Sequence, residues 1–401
     1  MYISLQMNHG GNPGHGYNSL YGHHPNNQNS TMSISSTVGT MKELDVLLSD
    51  VLSGHRLSPD EALMLMQTRD RDVWKITAAA DQLRLRKVGD VITWVKNQNV
   101  NVTNLCVNSC GFCGFSKKPG EEGVYLFNKE DIQKKVAGAK ERGVTEICTV
   151  SGLHPDFDAG SYIDIISWIH EAAPEIHIHA SNPMEVAYGA AKSRISTRDL
   201  LCRMKEAGLG SLCGTAAEIL VDRVREIICP QKVNSDEWER IIREAHALGI
   251  PTTATIMYGH CESEADRIEH LRRIREIQDD TRGFTEFVPL SFIHMNTPLY
   301  RKGIARAGAT GREDVLMVAV ARLFFDNLDH IQVSWVKTGI KMAQMGLLSG
   351  GDDLGGTMYE ESISKGAGAV NTDYLDPEEM RRVAEDLGRT LCQRSTLYQR
   401  A

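Results

Sequence analysis

The chain has 401 residues, 44 of them Lys or Arg and 52 Asp or Glu, for a formal charge of −8, and 41 % of its side chains are hydrophobic against 24 % charged. A chain of this length and composition can bury one large core or two medium ones, so a miniature held together by disulfides is excluded. It contains no uninterrupted apolar run of the roughly 18 residues that a membrane span needs and no basic-then-apolar leader, so a cytoplasmic protein that does not enter the membrane is expected. Its Lys and Arg are dispersed under a net negative charge, which gives no broad positive field for a nucleic acid. In a reducing compartment the nine cysteines read as thiols or metal ligands.

Residues 1–40 contain no Asp, Glu, Lys or Arg and are rich in Asn, Gly, Ser and His, as in His23-His24-Pro25-Asn26-Asn27. Such a segment buries too little apolar surface to offset its ordering entropy, and a disordered polar tail is expected. Weak metal chelation by its four histidines is the alternative to a solvated leader. Residues 41–88 are predicted helical: Leu44, Leu47, Leu48, Val51 and Leu52 share one face, Ser58-Pro59-Asp60-Glu61 caps a helix through Ala62 to Met66, and a third runs from Val73 to Arg86.

From residue 89 to about 395, β-rich runs alternate with amphipathic helices. The predicted strands are Asn99–Leu105, Val144–Ser151, Glu175–Ser181, Gly210–Cys213, Pro251–Tyr258, Phe284–Leu290, Ile331–Trp335 and a weak one near Gly351–Leu354. The predicted helices are Lys129–Arg142, Tyr162–Ala172, Ser235–Leu248, Ser263–Asp279, Arg312–Leu328 and Lys337–Leu347, and Gly143, Gly208 and Gly249 suit left-handed C-caps. Eight such units make an α/β fold, a (β/α)8 TIM-type barrel with an N-terminal helical extension and C-terminal helices. A doubly wound open sheet is the alternative.

The first predicted strand runs into Cys106-Val107-Asn108-Ser109-Cys110-Gly111-Phe112-Cys113, three thiols in eight residues. A structural zinc site wants a fourth Cys or His at compatible spacing, and none stands nearby. Three ligands on a four-iron cube leave one iron open to a small molecule. Barrel active sites are built at this end of the strands, where this triplet sits. The other six cysteines, Cys148, Cys202, Cys213, Cys229, Cys261 and Cys392, are isolated and read as small buried hydrophobes. Polar groups recur at the later strand ends: Ser181, Asn182 and Glu185, then Thr215 and Glu218, Tyr258 and His260, and His294. Each reads either as a ligand contact or as an ordinary cap or hydrogen-bonded structural residue.

The C-x3-C-x2-C spacing, with Phe112 just before the third cysteine, resembles the signature of the radical S-adenosylmethionine (radical SAM) superfamily. That resemblance implies a 4Fe-4S cluster on Cys106, Cys110 and Cys113, whose open iron chelates S-adenosyl-L-methionine and whose electron releases a 5'-deoxyadenosyl radical. It also implies that Phe112, Ser151, Gly152, Ser181, Asn182 and Glu185 surround the cofactor, with Ser151 standing where the superfamily has the first of two glycines.

Longer stretches, among them Pro251 to His260, Gln332-Val333-Ser334-Trp335-Val336-Lys337 and Asp352-Asp353-Leu354-Gly355-Gly356-Thr357-Met358, resemble the FO synthase subunit 2 (CofH) family over roughly residues 60–395. This implies transfer of the 4-hydroxybenzyl group of L-tyrosine onto 5-amino-6-(D-ribitylamino)uracil in deazaflavin synthesis. The adenosyl radical would take hydrogen from the tyrosine amine, and the released benzyl radical would add to the uracil ring. Thr215, Glu218, Tyr258, His260 and His294 are then candidate substrate contacts, and Asp352 and Asp353 either bind ribityl hydroxyls or face solvent. A low-potential electron donor and a companion FO synthase subunit 1 (CofG), which closes the ring, are the implied partners. Two other readings compete: a futalosine-pathway enzyme of menaquinone synthesis, and a non-catalytic iron-sulfur or zinc protein whose metal is fully ligated by side chains.

Overall fold

The computed structural model describes residues 35–371 and 373–399, so the expected polar tail lies outside the described residues as far as residue 34. The chain divides between Leu44 and Asp45, and the architecture below belongs to the second unit. Its strands are β1 (Val91–Val95), β2 (Asn97–Asn99), β3 (Glu146–Thr149), β4 (His177–Ala180), β5 (Ser211–Leu212), β6 (Thr252–Tyr258), β7 (Phe284–Ser291), β8 (Asp353–Gly356) and β9 (Thr390–Gln393). Strands β2 to β7 pair in chain order, each parallel to the next, and β1 lies between β8 and β9. Only Lys96 separates β1 from β2, so together they are the first barrel strand. Parallel bridges from Phe287 to Ile331 and from Gln332 to Asp353 join β7 to β8 and close the ring. The result is a (β/α)8 barrel whose seventh strand is reduced to Ile331 and Gln332.

The first barrel strand starts earlier than the sequence reading placed it. Apolar Ile92, Trp94 and Val95 are buried in β1, and the ladder ends where Val100 N–H donates to the Cys148 carbonyl at 2.9 Å. Val100 and Val102 are buried too, but in a loop that leaves the sheet on its way to the cysteines.

Helices form where the chain supplies reciprocal caps. Asn128 with Asp131, Asp158 with Ser161, Ser263 with Asp266 and Thr310 with Glu313 each close a capping box at the start of a helix packed outside the barrel. Gly143, Gly208 and Gly249 have positive φ just past helix ends, as their sequence context predicts. The helix predicted to reach Leu328 stops at Phe324. Beyond it the Lys87 ammonium donates to the carbonyls of Phe325, Asp326 and Leu328 at 2.9, 3.0 and 3.1 Å. A cation there satisfies orphan carbonyls and complements the helix dipole. Lys87 closes the helix Asp72–Val88, which together with Pro59–Gln67 packs on the barrel helices Glu264–Thr281 and Gly311–Phe324.

After β9 the chain turns under the barrel. Arg394, 2 % exposed, donates to Asp353 Oδ1 at 3.0 Å and to Glu286 Oε2 at 3.3 Å. Tyr398 donates its hydroxyl to Glu286 at 2.7 Å and stacks on His330 with ring centroids 3.6 Å apart.

Candidate active site

A cavity of about 370 Å³ lies inside the ring. Its wall follows the two-residue period of the strands: Glu146 and Cys148 on β3, Thr253, Thr255 and Met257 on β6, Glu286, Val288 and Leu290 on β7. The intervening residues Ile147, Ala254, Ile256 and Phe287 are buried on the other face, against the helices.

At the mouth sits the cysteine loop. Cys106, Cys110 and Cys113 all line the cavity, and all three are free thiols. Their loop is held by its backbone. The Lys118 ammonium donates to the carbonyls of Cys106 and Asn108 at 2.9 and 2.7 Å, Cys106 N–H donates to Lys117 at 3.1 Å, and Gly111 N–H donates to Ile228 at 2.8 Å. A Cβ on Gly114 would strike the Gly366 carbonyl, and one on Gly152 the Leu105 carbonyl, so at both places only glycine lets the two backbones approach. Burial pushes the Cys110 thiol up to about 12, against the pull of the Lys232 ammonium. Such a thiol gives up its proton when a metal takes its place. Lys232 is paired with Glu218 at 2.5 Å and stands 5.2 Å from the centre of the Phe112 ring.

Of the residues singled out from the sequence, Phe112, Ser151, Gly152, Asn182, Glu185, Thr215 and Glu218 join the three cysteines on the wall. Asn182 caps the helix Pro183–Ser193 through Met184 and Glu185 N–H at 3.0 and 3.2 Å, so cap and cavity wall coincide in one residue. Ser151 N–H donates to Glu185 Oε1 at 3.1 Å, while Glu185 Oε2 and Thr215 Oγ1 are buried without a hydrogen-bond partner among the described residues. Burial pushes the Glu185 carboxyl up to about 8. Ala216, Glu218 and Met358, also on the wall, adopt left-handed backbone with φ of 67, 47 and 57°. Non-glycine residues hold that conformation at a cost of about 1–3 kcal/mol each, a strain that concentrates at functional sites.

Six others are elsewhere. Ser181 has φ 57° and is tied into the sheet, its N–H donating to Thr149 at 2.8 Å. Tyr258 donates to Asp314 at 2.7 Å, and His260 to the Met257 carbonyl at 3.1 Å, both among core residues. His294 packs its ring on Tyr300. Asp352 and Asp353 are fully buried rather than solvent-facing. Asp352 accepts from Arg322 at 2.6 Å and His330 at 2.7 Å, and Asp353 from Thr93 at 2.6 Å as well as from Arg394.

The wall also holds ionisable groups that sequence reasoning missed: Glu146, His179, Glu286 and Arg394 toward the floor, and Lys232, Lys337 and Glu361 toward the mouth. Burial holds His179 down to about 4, leaving it neutral with Nδ1 2.7 Å from Ser211 Oγ. Burial likewise lifts Glu286 to about 7, with Arg394 opposing. The available signal was a charged residue at an inward-facing position of an otherwise apolar strand.

Comparison with known proteins adds the family. Residues 100–274 match the Radical SAM superfamily and residues 281–399 the CofH/MqnC C-terminal region. A Methanosphaerula palustris protein named 5-amino-6-(D-ribitylamino)uracil–L-tyrosine 4-hydroxyphenyl transferase is 72 % identical over 89 % of this chain and 98 % of its own length. The chain belongs to this 4-hydroxyphenyl transferase family. A second family member of that name, from Methanoculleus marisnigri, is 68 % identical over 88 % of this chain and 96 % of its own length. Like the rest of the 4-hydroxyphenyl transferase family, the chain is a radical SAM enzyme of the transferase class. Among solved structures, HydG, a maturase of FeFe-hydrogenase, superposes with a TM-score of 0.71 at 16 % identity over 89 % of this chain and 78 % of that one. Methylornithine synthase (PylB) does so with 0.68 at 16 % identity over 86 % and 97 %. At such identities the likeness is one of fold. No helix among the described residues is long and apolar enough to cross a membrane.

Proposed function

We propose that this chain joins the 4-hydroxybenzyl group of L-tyrosine to 5-amino-6-(D-ribitylamino)uracil, the activity for which its 72 % identical relative is named. Cys106, Cys110 and Cys113 would hold a 4Fe-4S cluster. The donor set suits that group: three thiols open onto one wall, and the Lys232 ammonium lies close enough to Cys110 to offset the negative charge they would bring. Phe112, Ser151, Gly152, Asn182 and Glu185 would then border S-adenosyl-L-methionine, with Ser181 shaping the turn behind them. When bound, the cluster and S-adenosyl-L-methionine supply a carbon-centred radical. A companion FO synthase subunit 1 (CofG) and an external low-potential electron donor complete the reading.

The chain's own contribution is enclosure and placement. A carbon radical reacts with whatever it meets, so both substrates must be in position and water kept out before it forms. Residues 393–399 cover the barrel floor, and the polar wall of Asn99, His179, Glu286 and Gln332 offers donors and acceptors to a polyhydroxylated acceptor. Thr215 Oγ1 and Glu185 Oε2 have bonding capacity left for ligands.

The observation that carries this reading is the cysteine triad at the mouth of a barrel cavity in a chain so similar to transferases of that name. Anaerobically reconstituted protein, given S-adenosyl-L-methionine, a reductant, L-tyrosine and the ribityl-uracil, is expected to consume tyrosine and yield a product of the coupled mass. An enolpyruvyl-benzoate substrate serves as the futalosine-type control. Turnover of that control without tyrosine consumption would overturn the proposal.

A further inference from the structure

Three cations line the cavity among the described residues: Lys232, Lys337 and Arg394. Lys232 is paired with Glu218, and Arg394 with Asp353 and Glu286. Among the described residues Lys337 has no carboxylate within ion-pairing distance, and Ser364 is its hydrogen-bond partner. Its ammonium donates to Ser364 Oγ at 2.6 Å, a neutral acceptor that engages one of its three N–H groups. A cation withdrawn from water in this way is costly unless an anion completes it.

The position is specific. Lys337 follows the seventh barrel strand in the short helix Trp335–Thr338, and Ser364 belongs to the helix Ile363–Ala367, whose backbone packs directly on Gly114 of the cysteine loop. Glu361, also on the wall, accepts from Ser364 N–H at 2.9 Å and lies near enough for its charge to act on Lys337, as do Glu218 and Cys113. A lone cation flanked by carboxylates, beside the loop where the radical would arise, presents the electrostatic complement of an α-amino acid head group.

We infer that Lys337 is a substrate-binding residue that takes the α-carboxylate of the amino-acid substrate through a charge-assisted hydrogen bond. The inference rests on the tyrosine reading above, and it orients the amino acid: its head group is fixed near the cysteine loop and its phenol ring points away into the barrel. The acceptor has no carboxylate, which leaves S-adenosyl-L-methionine as the other carboxylate donor that the test must separate.

The test uses cluster-loaded holoenzyme in its oxidised state, so that binding is read without turnover. Equilibrium dialysis compares L-tyrosine with tyramine, which lacks the carboxylate, on wild type, Lys337→Met and Lys337→Arg. Removing a charged hydrogen-bond partner should weaken L-tyrosine binding by roughly ten- to a hundredfold. Tyramine binding should be unchanged, and Lys337→Arg should recover part of the loss. Lys337→Met that leaves the tyrosine-to-tyramine ratio as in wild type overturns the assignment. So does weakened binding of S-adenosyl-L-methionine with tyrosine unaffected, because the lysine would then serve the cofactor. Wild type that binds S-adenosyl-L-methionine but no L-tyrosine sinks the parent reading, whereas normal wild-type binding with an indifferent variant sinks only the role of Lys337.

Discussion

At the floor of the cavity Arg394 is enclosed by Asp353, Glu286 and the ring of Tyr398, while at the mouth Lys337 has one serine hydroxyl. Both ends are charged, but only the floor is electrically complete. There Asp353 and Glu286 are met by the Arg394 guanidinium and by hydroxyls, and Glu146 by the Asn97 side-chain amide. At the mouth are the thiols, the Lys337 ammonium and the oxygens of Glu185 and Thr215 that lack ionic or hydrogen-bond partners among the described residues, and the left-handed residues Ala216, Glu218 and Met358. Among the described residues the cations at the N-terminal face of the barrel are compensated, although Thr396 Oγ1 there has no hydrogen-bond partner, and the uncompensated cation lies at the C-terminal face, where barrel chemistry takes place.

The largest expected effect comes from Cys110→Ser. Iron-sulfur absorption and coupled product should both vanish, while the metal-free variant keeps the thermal melting curve of metal-free wild type; retained cluster and turnover would break the assignment of the mouth. Next is Arg394→Met at the floor, which leaves the buried Asp353 without its guanidinium partner. A stability loss of about 3–5 kcal/mol in denaturant unfolding is expected, since breaking a buried pair leaves an uncompensated charge. Lys337→Met should show no comparable loss, and similar losses at both sites would erase the contrast.

A finer test concerns Glu185. Its folded carboxyl titrates near 8 because burial disfavours the charge, and an unfolded glutamate titrates near about 4.3. Between those values the native state binds a proton that the unfolded state does not. Its stabilising contribution is therefore complete at low pH, falls as pH rises through that window, and is gone above about 8. Glu185→Gln should remove this share of the pH dependence from melting curves recorded between about pH 5 and 8; parallel curves for the two proteins would show that the carboxyl is ionised throughout. The smallest effect belongs to the helical extension. Ser58→Ala deletes the capping box with Glu61 and should cost about 1 kcal/mol by denaturant titration, with product formation untouched.

The same contrast explains what could be read from the chain alone. The barrel was legible because its helices announce themselves through caps such as Asn128 and Ser263, and because Pro251–Tyr258 and Phe284–Leu290 are long β-rich runs. The first strand was misplaced because its last third is the polar run Asn97-Gln98-Asn99, of which Asn97 and Asn99 face an interior holding polar groups. The seventh was over-read, since only Ile331 and Gln332 bridge to neighbours. Cys106, Cys110 and Cys113 were legible as a local motif. Lys337, Glu286 and Arg394 were not, because each takes its meaning from residues far along the chain: Ser364, Tyr398 and Asp353. Asp352 and Asp353 drew attention as an acidic pair, yet their partners Arg322 and Arg394 stand on either side of them in the chain.

The pairing of β1 with β9 joins segments about 300 residues apart, Val91 with Thr390 and Trp94 with Gln393. During translation Ile92 and Trp94 emerge well before Leu391 and Gln393, and one edge of their strand waits for its neighbour while the intervening residues are made. Late, long-range closure of this kind is slow and leaves an adhesive edge open in the meantime.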